Sequence, residues 1–159
     1  MIETMTLPKV HQQMLIRRPA TEVFHAIVDP AVASRFWFSR GSGPLAPGAH
    51  VRWEWEMYGG SAEVDVREFE TDRRLLLDWT GGGGTRIDWR FEPRGNDTTM
   101  VIIDVTGFSG RDACDLAIDS SGGFAFVLAG LKALLEHGVD LNVVPDKAPE
   151  AHVAGWQGR

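Results

Sequence analysis

The chain has 159 residues, 43% of them hydrophobic and 24% charged, with a formal net charge of −6. That length is one domain's worth and can bury a real core, while the acidic balance excludes a general nucleic-acid or anionic-membrane binder, since both need a surplus of Lys and Arg. Cys114 is the single cysteine, which rules out an intrachain disulfide and a cysteine metal cluster.

Six Trp and eight Phe stand against one Tyr, so large rings must build much of the core or of a pocket. The opening MIETMTLPKV carries Glu3 and no apolar run, and is not expected to be a signal peptide. Nowhere do 18 consecutive apolar residues occur, so no membrane span is expected. With the lone cysteine, these features point to a cytoplasmic protein.

Residues 10–18 read as a first strand ending at Pro19. A short helix follows, with Thr21 as its cap and Val23, Phe24 and Ile27 on its buried side. Asp29-Pro30 breaks it, and Pro30 suits the first turn of a second short helix through about Phe36. Residues 39–50 form a Gly/Pro loop without periodicity.

From Val51 the period becomes two. Val51, Trp53, Trp55 and Met57 alternate with polar neighbours, then Gly59-Gly60 signals a hairpin turn. Further strands are read at 62–66, 75–79, 87–91 and 100–106, with GGGG at 81–84 as a flexible turn. Short turns make this an antiparallel meander, because parallel pairs need long crossovers. The N-terminal strand brings the sheet to about six strands.

Residues 111–118 suit a helical turn, and 120–138 a long helix with Phe124, Val127, Leu128, Leu131, Leu134 and Leu135 on one face. Ser120 or Ser121 is the expected cap and Gly138 the expected stop. Gly122-Gly123 costs about 1 kcal/mol per residue in a helix, so a kink or late start is expected there. LNVVPDK reads as extended, before a polar tail carrying Trp156. One domain spans 1–159, with its core at about 10–145 and its tail at 146–159.

The stretches IRRPATEVFHAIVDPAVASRFWF, FEPRGNDTTMVIIDVTGF and GGFAFVLAGLKALLEHG, in this order, resemble the START-related, pollen-allergen-like superfamily known as SRPBCC. More narrowly they resemble homologues of the heat-shock-chaperone ATPase activator, the AHSA-type branch. The resemblance implies an α+β helix-grip fold, an antiparallel sheet wrapped on a long C-terminal helix. It also implies a cavity between helix and sheet, of the kind used across the superfamily for lipids, sterols, polyketides or hormones. Members of the branch often carry Trp where this chain has Phe124, a change that alters pocket volume. The eukaryotic activator has a further N-terminal domain, and only nine residues precede the first strand here, so chaperone activation is not expected to carry over unchanged.

The expected function is binding of a small hydrophobic or amphipathic ligand by a cavity lined with Trp37, Trp53, Trp55, Met57, Trp79, Trp89, Phe124, Val127, Leu128 and Leu131. One alternative is a co-chaperone-like, stress-response interaction module with a chaperone as partner. Another is a cyclase, dehydratase or hydrolase using His25, Tyr58 or an inward carboxylate. No catalytic constellation stands out: Asp88 and Glu54 fall on the polar phase of their strands, suited to pairing with Arg86, Arg90 or Arg52. The five His have no HxH or HxxxH spacing, so neither metal nor cofactor is expected. Residues 36–38 suit a cavity mouth and 41–48 a lid. A homodimer through a sheet edge or Trp156 is compatible with the sequence.

Overall fold

A computed structural model describes residues 6–158; the N-terminal stretch considered above begins in residues 1–5, outside the described residues. Chain order is β1 (Val10–Ile16), α1 (Ala20–Val28), α2 (Pro30–Ala33), β2 (Arg40–Gly41), β3 (His50–Trp55), β4 (Gly60–Glu70), β5 (Arg74–Trp79), α3 (Gly81–Gly84, a turn rather than a true helix, with Gly82 and Gly83 at φ +66° and +84°), β6 (Thr85–Arg94), β7 (Thr98–Thr106), α4 (Ala113–His137) and α5 (Val143–Lys147). The strands form one antiparallel sheet ordered β1-β7-β6-β5-β4-β3-β2. This is the expected α+β helix-grip architecture. The sheet has seven strands rather than six, because two residues of the aperiodic loop, Arg40 and Gly41, pair with Glu54 and Trp53.

Alternation does the work in the meander. Thr85, Ile87, Trp89 and Phe91 of β6 are buried, as are Thr99, Val101, Ile103 and Val105 of β7. Their polar neighbours form ion pairs on the outer face. Arg67 and Arg86 converge on Asp78, and Arg74 binds Asp88 through two bonds of 2.9 and 3.0 Å. Asp88 therefore pairs with Arg74, its diagonal neighbour on β5, and not with Arg86 or Arg90, which bind Asp78 and Asp104 instead. Glu54 has Arg52 at 3.7 Å. Strand β3 ends at Trp55, so Met57 sits in a 3-10 turn over Glu56–Tyr58, and Gly59 leaves that turn with φ +66°. Gly60 already belongs to β4.

Helix α1 buries Val23, Phe24, Ala26 and Ile27, and Phe24 meets Phe69 and Phe91 edge-on, each at 5.3 Å. Thr21 does not cap it. The cap residue is Pro19, and the Thr21 hydroxyl donates to Asp72 instead. In α2, Pro30 takes the first turn and the Asp29 carboxylate accepts from the Ala31 N–H at 2.9 Å.

Helix α4 starts at Ala113, seven residues before the expected cap, and runs through Gly122-Gly123 without a break. Ala113, Ala117, Phe124, Val127, Leu128, Leu131 and Leu134 make one continuous buried stripe. That stripe recovers what two glycines cost in backbone entropy. Gly138 ends the helix at φ +65°, its N–H donating to the Leu134 carbonyl. By length and mean hydropathy α4 would also serve as a membrane span; here it packs along β1. Lys132 donates to the Leu15 carbonyl, and Gln12 reaches Ser121, so α4 covers the open edge of β1.

Candidate functional site: a cavity at the mouth of the grip

Between sheet and helix the space is filled by rings. Trp37 lies at the centre, with its ring centroid 4.5 Å from that of Trp53, 5.9 Å from Trp79, 5.5 Å from Trp89 and 5.8 Å from Phe124. Phe38 stacks on Trp53 at 4.7 Å with planes 18° apart. Trp53 and Trp89 are fully buried, and Trp55 and Trp79 half-buried.

Beside this cluster opens a cavity of about 580 Å³. Its floor is the corner after α2, Phe36, Trp37 and Phe38, together with Met57 and Gly130 of α4. The outer wall is a segment that sequence reasoning took as an extended piece and a polar tail. Residues 143–147 are helical, and Val144, Pro145, His152 and Trp156 face the cavity. Of the ten residues expected to line a ligand site, Trp37 and Met57 lie on this cavity. Trp53, Trp55, Trp79, Trp89, Phe124, Val127, Leu128 and Leu131 do not; most of them are packed behind it. A lone Trp in a polar tail was the one legible sign of the outer wall, because so large a ring is rarely left in water.

The wall is tied down at named points. Tyr58 donates its hydroxyl to the Val144 carbonyl at 2.6 Å, and Val153 N–H donates to the Met57 carbonyl at 2.8 Å. Arg35 binds Asp140 through two bonds of 3.1 Å, which raises the guanidinium pKa further. Burial chiefly raises the Tyr58 phenol pKa. His152 Nε2 lies 2.7 Å from the Pro145 carbonyl, and its ring stands between Tyr58 and Trp156. Ser39 holds the floor, donating to the Glu54 carbonyl and accepting from the Glu56 N–H.

The groups considered for catalysis fall elsewhere or are engaged. His25 is exposed beside Asp29, and the Tyr58 hydroxyl is committed to the wall. Ser39, Thr85 and Thr99 are buried polar residues, and the Glu136 side chain, 7% exposed, is engaged by Lys132 and the Arg17 N–H away from the cavity lining. Cys114 is exposed. Among the described residues no cluster of His, Cys, Asp or Glu is arranged to hold a metal.

Fold and cavity together define a helix-grip protein with a chamber beside its long helix. The chain belongs to the family of Activator of Hsp90 ATPase homolog 1-like proteins, whose profile matches residues 17–136. Among solved structures it is similar to protein SSP2350 from Staphylococcus saprophyticus, with 26% identity, 84% of this chain and 96% of that chain covered, and a TM-score of 0.73. It is also similar to the Aha1 dimer from Colwellia psychrerythraea, at 18% identity, 83% and 98% coverage, and TM-score 0.73. CalU16 from Micromonospora echinospora shares 19% identity over 90% of this chain and 83% of that one, with a TM-score of 0.67. No curated protein matches the chain.

Proposed function

We propose that the chain binds a small amphipathic molecule in the cavity at the mouth of the grip. The observation that carries this reading is the cavity itself, about 580 Å³ with an aromatic floor and a few polar groups at its rim. That volume falls inside the usual range for small-molecule sites, about 300–1,000 Å³. Trp37 and Met57 contact the ligand. Trp53, Trp79, Trp89 and Phe124 hold Trp37 in place from behind, and Trp55, Val127, Leu128 and Leu131 support the packed layer beneath. Affinity comes from burial of ligand carbon, about 25 cal/mol per Å². The lone cysteine supports a reducing, cytoplasmic setting.

Native mass spectrometry of protein purified without detergent tests the reading. A discrete adduct lost on denaturation, and weakened in Val144→Trp, which narrows the cavity, is the expected result. A bare mass, together with no binding of 8-anilinonaphthalene-1-sulfonate, overturns it.

Family membership favours a second reading, a co-chaperone-like module in a stress response whose partner is a chaperone. It requires contacts outside the cavity and a change in a chaperone's ATPase rate on addition of the protein; an unchanged rate and no complex defeat it. The Colwellia neighbour is described as a dimer. Since α4 covers the β1 edge, a sheet-edge dimer of this chain would use the β2 edge, and the half-exposed Trp156 is the other surface for one.

A further inference from the structure

We propose that residues 140–158 are the selectivity element of this cavity, with His152 as its polar contact and Tyr58 as the residue that positions it; the proposal rests on the binding reading above. The family profile ends at residue 136, so the outer wall is supplied by chain beyond the shared scaffold. The scaffold contributes the apolar floor of Phe36, Trp37, Phe38, Met57 and Gly130, and the polar Ser34, Arg35 and Ser39, of which Arg35 is held by Asp140 and the Ser39 hydroxyl by Glu54 and Glu56. Burial against such a floor discriminates ligands mainly by size. Discrimination by hydrogen bonding has to come from the groups around it.

His152 is suited to that task. The atom facing its Nε2 at 2.7 Å is a carbonyl oxygen, which only accepts, so Nε2 carries the hydrogen. The neutral ring then has Nδ1 as an acceptor, and Nδ1 makes no hydrogen bond with any described residue. A ligand with an apolar body and a hydroxyl, phenol or amine donor satisfies both floor and wall. The segment keeps its place without strand pairing. It relies on the Tyr58 bond to Val144, the Val153 bond to Met57 and the Arg35 pair with Asp140. Lys147 adds a contact to α4, lying 3.7 Å from Asp119 and over the Phe126 ring.

Two probes of matched shape test the assignment: naphthalene and 2-naphthol, titrated into the full chain. The intact protein is expected to prefer 2-naphthol by about fivefold, the worth of one net hydrogen bond. His152→Phe should bring the ratio of the two affinities to about one. Tyr58→Phe should reduce the preference and speed amide exchange at Val153, an effect read without any ligand. A preference that survives His152→Phe, or Val153 exchange unchanged in Tyr58→Phe, overturns the role of the segment while leaving the binding reading intact. Failure of the intact chain to bind either probe defeats the binding reading and this proposal with it.

Discussion

Gly130 of α4 lies so close to Phe36 that a Cβ built on the glycine would stand 3.1 Å from the Phe36 Cβ and 3.5 Å from its carbonyl oxygen. The small residue lets the corner carrying Trp37 approach the helix. Gly130→Val is expected to destabilise the fold by about 2 kcal/mol, because the added isopropyl group must displace the Phe36 corner. Gly123 has nothing within 4 Å of its would-be Cβ, so Gly123→Ala should stabilise by about 1 kcal/mol through helix propensity. Urea melts of the two variants, moving in opposite directions, check the pair.

Leu131 is wholly buried on the same helix. Leu131→Asp places an unpaired charge among the rings at a cost of several kcal/mol, comparable to the whole stability of a domain. Circular dichroism should show an unfolded chain at 25 °C; a native spectrum would refute the packing of α4.

Asp78 sits between two guanidinium groups, and its pKa is lowered to about 2, chiefly by its bond to Arg86, with burial opposing and Arg67 lowering it further. A lowered folded pKa gives stability that is present above the ordinary carboxylate value and lost as pH falls through the folded one. The window is therefore about pH 4 to 2. Solvent screens this surface cluster, so the loss is expected to be about 1 kcal/mol. Acid denaturation of Asp78→Asn should lack that component while keeping the rest.

His50 bridges Asp65 at 2.8 Å and Glu63 at 2.7 Å, and these two hydrogen bonds raise its pKa. Here the sign is opposite: the favourable contribution is full below the ordinary imidazole value and disappears as pH rises through the raised one. An NMR titration should place His50 above an exposed histidine, and Glu63→Gln should bring it back down. A titration unmoved by Glu63→Gln would show that the bridge carries no charge coupling.

The sheet was legible because most of its strands alternate, β6 most regularly. Ile87, Trp89 and Phe91 can only point one way while Asp88 and Arg90 point the other. The C-terminal half of α4 was equally plain from Val127, Leu131 and Leu134. Its start was not, since Gly122-Gly123 reads locally as a break and only packing of Ala113 and Ala117 on the fold overrides it. The candidate site was legible in its rings but not in its geometry. Trp53, Trp79 and Trp89 sit on the inward phase whether they line a space or fill it, and period alone does not distinguish the two. The outer wall escaped because its placement depends on single long-range bonds, such as Tyr58 to Val144, that leave no periodic trace.

The position of β1 in the sheet has a consequence for synthesis of the chain. From β3 to β7, each strand pairs with the one before it in sequence, but β1 pairs only with β7, aligning Val10 with Val105. The first strand to leave the ribosome is thus the one whose hydrogen-bonding partner emerges last, and the helix that covers its other edge comes later still. Throughout translation of the meander, both edges of β1 stay open. The alternating polar residues His11 and Gln13 keep that waiting segment from being an uninterrupted apolar run.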